Sequence, residues 1–352
     1  MFRFLLERGF SGLLSLTLIV VLVSGIIFMS PVDPATLSFG QQLTEEGLAS
    51  KRKELFLDKS IGAQILLYLN DLSPISIYPH NLDRERADLI FGTLFQGDSQ
   101  KLVLKKPFLR RSFQTGDSVL EMIKTVLPNT LILAICSIIL ASILGILFGI
   151  MAALNKGKWL DEVIIAVSTL GYSLPSYVSA IFLSIIFGYY LKEWTHLNMQ
   201  GSLMTLNDLG DEVTMWRNLL LPSIALGVRP VAVITQISRA SMIEVMSQPY
   251  ILTAKVKGMG IRRIVQKHML RNMMNPIVTT ISGWFAALLA GAFFVESIFN
   301  YNGMGLLTVN ALINYDIPLL LGCILIIAFI FILLNLFIDL IYAWLDPKIN
   351  LA

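Results

Sequence analysis

Apolar residues run along this chain in blocks rather than at amphipathic spacing, and six blocks approach or exceed the roughly 20 residues a helix needs to cross a hydrocarbon core. They cover about 10–29, 127–154, 163–191, 219–245, 277–299 and 317–344. The first follows Arg3 and Arg8 in the manner of a secretory leader, but its length and the lack of a small-x-small cleavage site predict a retained span. Pro175 in the third block, and Pro222 and Pro230 in the fourth, predict kinks of the kind spanning helices accommodate. Between the first two blocks, 31–118 changes character: charges are frequent, apolar residues scatter, and Pro31-Val32-Asp33-Pro34 and Ser73-Pro74 are turn signals. That stretch is too long for a plain connection and is predicted to be an extramembrane insert with some fold of its own. The division expected is 1–30 as first span, 31–118 as insert and 119–352 as a five-span core.

Composition changes this picture little. The chain is 55% hydrophobic and only 14% charged, against about a quarter charged in soluble domains, and its mean hydropathy is +0.71. The bilayer is the solvent, and the fold class expected is an all-α polytopic membrane protein with six transmembrane helices. A net charge of +3, dispersed over loops, gives no ground for nucleic acid binding. Cys136 and Cys323 each sit in an apolar run, with neither disulfide nor metal spacing. Charge distribution sets orientation: with the N-terminus cytoplasmic, Arg3, Arg8, Lys156, Lys158, Lys255, Lys257, Arg262, Arg263, Lys267, Arg271 and Lys348 fall inside. Short outside loops then hold Lys192 and Arg217. Large translocated segments do not obey this rule, so the insert is placed outside despite its basic residues.

The loop between the fourth and fifth spans, 246–276, carries the most local information. Ser247 can cap a short helix, Pro249 fits its first turn, and Gly258 and Gly260 can end it at positive φ. In the helix that follows, Ile261, Ile264, Val265 and Leu270 share one face while Arg263, Lys267 and Arg271 repeat at i, i+4 on another. The basic residues alone describe a positive-inside loop at the membrane surface. The ordered series of Pro, small pair, Gly and amphipathic helix further describes a projecting helix able to dock in a groove of a soluble partner.

Thr253-Ala254-Lys255, Gly258 and His268-Met269-Leu270-Arg271 resemble the Glu-Ala-Ala loop of ABC importer permeases, in the form seen in the dipeptide, oligopeptide and nickel permease family. Pro31-Val32-Asp33-Pro34, Pro128-Asn129-Thr130-Leu131, Arg239-Ala240-Ser241-Met242, Val295-Glu296-Ser297-Ile298-Phe299, Gly303-Met304-Gly305 and Leu345-Asp346-Pro347-Lys348 are similar to further stretches of that family in order and spacing. Pro249 departs from the family's usual acidic residue, Lys255 and Arg271 from the broader loop pattern, and 107–111 from the Gly-Asp-Leu-Gly before the second span. The resemblance implies a MetI-like permease architecture in a bacterial inner membrane with both termini cytoplasmic. It implies an ATPase-coupling loop carried by Tyr250, Thr253, Ala254, Lys255, Gly258, Met259, His268, Leu270 and Arg271. Implied partners are two ATPase subunits holding ATP and Mg, a second homologous permease, an extracytoplasmic solute-binding protein, membrane lipid and a peptide or similar small solute. No cofactor or metal is expected on this chain itself.

Ionisable residues within spans are the remaining candidates. Arg229, beside Pro230, falls deep in the fourth span, where it either lines a water-filled path, snorkels, or pairs with a carboxylate of another helix. Ser173 and Pro175, with Glu296, complete the candidate path-lining set, although Glu296 lies near a span end where interhelical pairing is the simpler role. Gly145 and Gly149 form a GxxxG face suited to close helix contact within the chain or between subunits. His80, His196 and His268 do not cluster. There is no His-Glu-x-x-His, no Gly-x-Ser-x-Gly and no Gly-x-x-x-x-Gly-Lys-Ser/Thr, so catalysis and nucleotide binding by this chain are not expected. A secondary peptide transporter or a non-transporting membrane scaffold would share the spans, but neither explains the coupling-loop pattern.

Overall fold

The computed structural model describes residues 2–29, 44–54, 56–80, 84–206 and 209–345. The Pro31-Val32-Asp33-Pro34 turn and most of the Leu345-Asp346-Pro347-Lys348 ending lie outside them. In chain order the elements are α1 (Phe2–Phe28), α2 (Glu45–Glu54), α3 (Ile61–Leu72), β1 (Ile75–Pro79), α4 (Arg84–Asp88), β2 (Ile90–Gln96), β3 (Gln100–Lys105), α5 (Val119–Leu154), α6 (Trp159–Ser173), α7 (Ser176–Ile185) and α8 (Lys192–Thr195). There follow β4 (Met204–Leu206), β5 (Glu212–Thr214), α9 (Arg217–Met246), α10 (Pro249–Val256), α11 (Ile261–Ile264), α12 (Leu270–Phe299), α13 (Met304–Ile313) and α14 (Ile317–Leu345). Short π-helical turns at Ile186–Tyr190 and Val265–Met269 extend α7 and join α11 to α12.

Helices α1, α5, α9 and α14 are each long and apolar enough to cross a membrane, and two bent helix pairs raise the number of crossings to as many as six among the described residues. Two expectations are corrected. The block at 163–191 is not one helix: α6 and α7 meet at 105°. Pre-proline sterics hold Leu174 in the extended region and Pro175 has no N–H to continue the ladder, so α6 stops and α7 restarts with the Pro175 carbonyl accepting from Val178 and Ser179. By contrast α9 runs unbroken through Pro222 and Pro230. The chain is also not all-α, because the insert contains a three-stranded antiparallel sheet of order β1-β3-β2 and the 200–216 segment a β4–β5 pair.

The chain divides into two compact units, Met1–Thr125 with Leu307–Ile330, and Val126–Leu306 with Phe331–Ala352. In the first, Val20, Tyr68, Phe113, Ile317 and Leu321 form a core. Asp71 at the end of α3 organises the insert around it. Its carboxylate accepts from Arg110 Nε at 2.8 Å and from the Tyr78 hydroxyl at 2.9 Å, with Arg86 at 3.4 Å, while its backbone carbonyl accepts from the buried Lys105 ammonium. Burial pushes Lys105 down to about 8, with Arg86 adding to the fall and Asp71 opposing it. Asp316, just before α14, accepts from the Ser112 hydroxyl and from the Phe113 N–H at 3.0 Å, tying down the end of the insert.

In the second unit α5 and α9 approach so closely that a Cβ on Gly145 would lie 2.7 Å from Ile234 Cβ, and one on Gly149 2.7 Å from the Thr235 carbonyl. The GxxxG face therefore packs within the chain. Asp161 and Arg239 join α6 to α9 through a bidentate pair of 2.6 and 2.7 Å, with the Gly157 N–H donating to the same carboxylate at 3.0 Å.

Candidate functional site

Helix α10 begins with Pro249 at its first position, where a missing N–H costs nothing, and ends in a complete Schellman motif. Gly258 N–H donates to the Lys255 carbonyl at 2.9 Å and Met259 N–H to the Ala254 carbonyl at 3.2 Å, with Gly258 left-handed at φ 75°. Three local expectations change. The residue preceding the helix is Gln248, while the Ser247 hydroxyl donates back to Glu244 at the end of α9. Gly260 is extended and starts α11. Ile261 is exposed, and Met269 takes its place beside Ile264 in the core.

One face of α10 is anchored. Ile251 and Ala254 are buried with Met242 and Val245 of α9 and with Met273 and Ile277 of α12, and Met259 packs against the same cluster. Met259 and Ala254 are thus the apolar pair that accompanies a Schellman cap. The opposite face carries Tyr250, Leu252, Thr253, Lys255, Val256 and Gly258, all exposed, with Val256 at 81% and Leu252 at 64%. Leu252 and Val256, spaced i, i+4, make an apolar ridge flanked by the Lys255 and Lys257 charges. Tyr250 Oη accepts from Asn272 Nδ2 at 3.0 Å, bracing the start of α10 on α12. Thr253 Oγ donates to the Pro249 carbonyl at 3.1 Å. His268 and Leu270 are half-buried in the turn leading to α12, and Arg271 is exposed beside Lys267.

Around the α6–α7 break, Tyr172, Ser173, Leu174, Pro175 and Tyr177 are all exposed. Ser173 Oγ donates back to the Thr169 carbonyl at 2.9 Å, one turn earlier in α6. Arg229 on α9 has no carboxylate partner among the described residues, so the ion-pair alternative finds no support there. Its guanidinium lies 5.4 Å from the ring centre of Tyr172 on α6 and 5.8 Å from that of Trp284 on α12. A cation at mid-span costs about 2.5–3.5 kcal/mol on insertion scales, and two ring contacts of about 0.5–2 kcal/mol each offset much of that. Tyr177 and Phe294 continue the aromatic lining at 5.9 Å.

Glu296 is corrected as a path-lining residue, because its side chain is fully buried and its acceptors are occupied. It receives Thr130 Oγ at 2.8 Å, Gly305 N–H at 2.6 Å and Leu306 N–H at 3.2 Å. Asn129 Nδ2 donates to the Asn302 carbonyl, Tyr301 Oη to the Asn129 carbonyl, and Met304 N–H to Thr130 Oγ. The Pro-Asn-Thr-Leu, Val-Glu-Ser-Ile-Phe and Gly-Met-Gly stretches, separate in sequence, are therefore one clamp at the start of α13. A Cβ at Gly303 would fall 2.4 Å from the Glu296 carboxylate. Sequence reasoning missed Ile251, Tyr172, Trp284 and Asp161. Only the i, i+3 spacing of Ile251 and Ala254 could have flagged the anchored face.

Residues 145–351 match a family described as binding-protein-dependent transport system inner membrane component, and residues 1–78 match the N-terminal region of such components. The chain belongs to this family. Relatives span it nearly end to end. A glutathione transport system permease protein from Salmonella choleraesuis is 30% identical over 99% of both chains. A di/tripeptide permease protein from Pseudomonas aeruginosa is 30% identical, and a dipeptide permease protein from Alkalihalophilus pseudofirmus 29% identical, each over 94% of both chains. The inward-facing MetNI methionine ABC transporter shares the fold at a TM-score of 0.52 and 13% identity, covering 64% of this chain and 97% of that one. As a family member the chain is a membrane-embedded ABC importer permease, the transport component rather than the catalytic one. ATPase and binding-protein partners go with that role in general.

Proposed function

We propose that this chain is one of two homologous permeases that together form the path of a di- or oligopeptide importer in a bacterial inner membrane. Both termini are cytoplasmic in this reading, six spans cross the bilayer, and 31–118 faces outward toward a solute-binding protein. The coupling loop 246–276 meets one of two ATPases, which hold ATP and Mg. Relatives that carry glutathione, dipeptides and di- or tripeptides by name support a peptidic solute.

The observation that carries the coupling assignment is the two-sidedness of α10. Ile251 and Ala254 fasten it to α9 and α12, while Leu252 and Val256 stand bare on a face that nothing covers among the described residues. An apolar ridge on a short helix fixed at its back suits a groove in a soluble subunit, where displacement of the ridge becomes displacement of two spans. Tyr250, Thr253, Lys255 and Gly258 border that ridge, and Met259, His268, Leu270 and Arg271 position it. Ser173, Pro175 and Arg229 line the path. Unwound backbone at membrane depth is stable only when buried in protein or facing water, and the exposed 172–175 segment fits the second condition.

The test is site-directed crosslinking in native membranes. Val256→Cys should crosslink to the ATPase and lose the adduct on ATP trapping or when Gly258 is replaced by Val. The assignment fails if Val256→Cys gives no ATPase adduct while a control cysteine at exposed Arg263 does. Uptake of labelled trialanine by the reconstituted complex tests the peptide assignment separately.

A further inference from the structure

Arg229 is an unusual charge for this membrane interior. Asp161 and Arg239 satisfy one another, and Glu296 is enclosed by hydroxyl and backbone donors. Arg229 makes neither a hydrogen bond nor an ion pair among the described residues, and its Nε is sealed from solvent without an acceptor. Its two terminal nitrogens are not sealed in this way. Counting along α9 at 1.5 Å per residue, Arg229 lies about 18 Å from the start of the helix and about 25 Å from its end, so its side chain reaches neither end.

The surroundings hold the guanidinium without neutralising it. Tyr172 and Trp284, from α6 and α12, present their ring faces to it at 5.4 and 5.8 Å and supply no acceptor to its forked N–H edge. Tyr172 directly precedes the exposed Ser173-Leu174-Pro175 break, so this edge adjoins the one place in α6 and α7 where the backbone leaves the helix. A planar donor fork held at mid-membrane with no acceptor is chemically matched to a carboxylate, which it grips through two parallel hydrogen bonds.

We propose that Arg229, framed by Tyr172 and Trp284, is a way-station for the carboxylate of the transported solute, and that the permease thereby selects cargo bearing a free carboxyl group. This rests on the importer reading above and adds a specificity element within the membrane, separate from the external binding protein. Because the match depends on a planar fork, lysine is an incomplete substitute and glutamine removes the charge at similar length.

The complete transporter, reconstituted with its ATPases, second permease and binding protein, is compared as wild type, Arg229→Lys and Arg229→Gln. Trialanine and trialanine amide are the probes, each supplied at saturating binding-protein occupancy. The ratio of free-acid to amide uptake should fall at least tenfold in Arg229→Gln and by an intermediate factor in Arg229→Lys. An unchanged ratio, or a proportional loss of both probes, overturns the proposal. In parallel, 5-fluorotryptophan in place of Trp284 reports the site by 19F resonance without any transport. Sodium acetate at constant ionic strength should move the resonance saturably, acetamide should not, and Arg229→Gln should abolish the response. If wild type imports neither peptide while acetate still titrates Trp284, the peptide assignment fails and the carboxylate site stands. Absence of a saturable acetate response, or its persistence in Arg229→Gln, overturns the site whatever the cargo.

Discussion

Replacing Gly258 tests whether α10, the proposed coupling helix, works through its backbone geometry. At φ 75° an L-residue incurs about 1–2 kcal/mol from Cβ contact with the following carbonyl, asparagine much less, and a β-branched residue the most. No atom lies within 4 Å of where a Cβ would stand, so the cost at this position is conformational rather than a clash. An eight-residue helix has little stability of its own, and opening its cap releases both the Gly258 and Met259 N–H groups. At about 1.4 kcal/mol per factor of ten, Gly258→Ala should speed amide exchange at Met259 by about five- to thirtyfold, Gly258→Val by more, and Gly258→Asn by only a few fold. Exchange is measured on the intact chain in nanodiscs, alongside ATP-driven uptake by the assembled transporter, and the two should decline in the same order. If asparagine is as damaging as valine, the side chain itself obstructs the partner. If alanine and valine are harmless, the left-handed cap carries no mechanical load. Either result refutes the argument.

Other substitutions bear on the frame behind that helix. Asp161→Asn leaves Arg239 without its buried counter-charge and should lower stability by about 3–5 kcal/mol, whereas the Asp161→Asn, Arg239→Gln double variant should recover part of the loss; thermal denaturation in detergent supplies the cycle. Glu296→Gln can keep its carbonyl on the Gly305 and Leu306 N–H groups but turns its N–H₂ toward the Thr130 hydroxyl, which must give up donating there, and should cost about 1–2 kcal/mol in the same assay. Gly305→Ala should be at least as damaging, since its Cβ would stand 2.5 Å from Phe293 Cα and a backbone atom cannot rotate away. The insert should show a pH optimum. With Lys105 pushed down to about 8 when folded and near 10.5 when unfolded, the unfolded state binds more protons between those values. Resistance of the insert to limited proteolysis should therefore climb from pH 8 toward pH 10 by up to about 3 kcal/mol, and Lys105→Met should flatten the climb. Burial raises Tyr68 and Tyr78, so folding holds their protons and stability falls again once unfolded tyrosines ionise above about pH 10.

The long apolar helices and the short helix of the 246–276 loop were legible because both obey local rules: apolar length for the former, and Pro at the start with Gly at the end for the latter. Pro175 announced a perturbation without its size. A kink and a 105° break begin with the same missing N–H, and what differs is whether Leu174 remains helical. Pro230 carries the same local signal, yet α9 persists, held by its close contact with α5 at Gly145 and Gly149. The strands of the insert were missed because Ile75–Pro79 and Gln100–Lys105 are short, and their pairing joins residues more than twenty positions apart. For Glu296 both a path-lining and an interhelical role were open, because a carboxylate near a span end reads the same whether it meets water or is enclosed by Thr130 and the Gly305 N–H; the structure shows the interhelical one. Trp284 and Tyr172 gave no signal at all, since aromatic residues are ordinary in spans and only the fold brings them to Arg229.

The glycine seam between α5 and α9 has a consequence for how force travels. Backbones that close have no slack to take up a displacement, and the Asp161–Arg239 pair adds α6 to the same stiff assembly. In the coupling reading proposed above, a load applied at Ile251 and Ala254 enters this close-packed assembly and is delivered to the first place able to yield. Along α6 and α7 that place is Leu174-Pro175, where no ladder hydrogen bond crosses the joint and rotation stretches nothing. The stiffness of one helix pair decides where the other one bends.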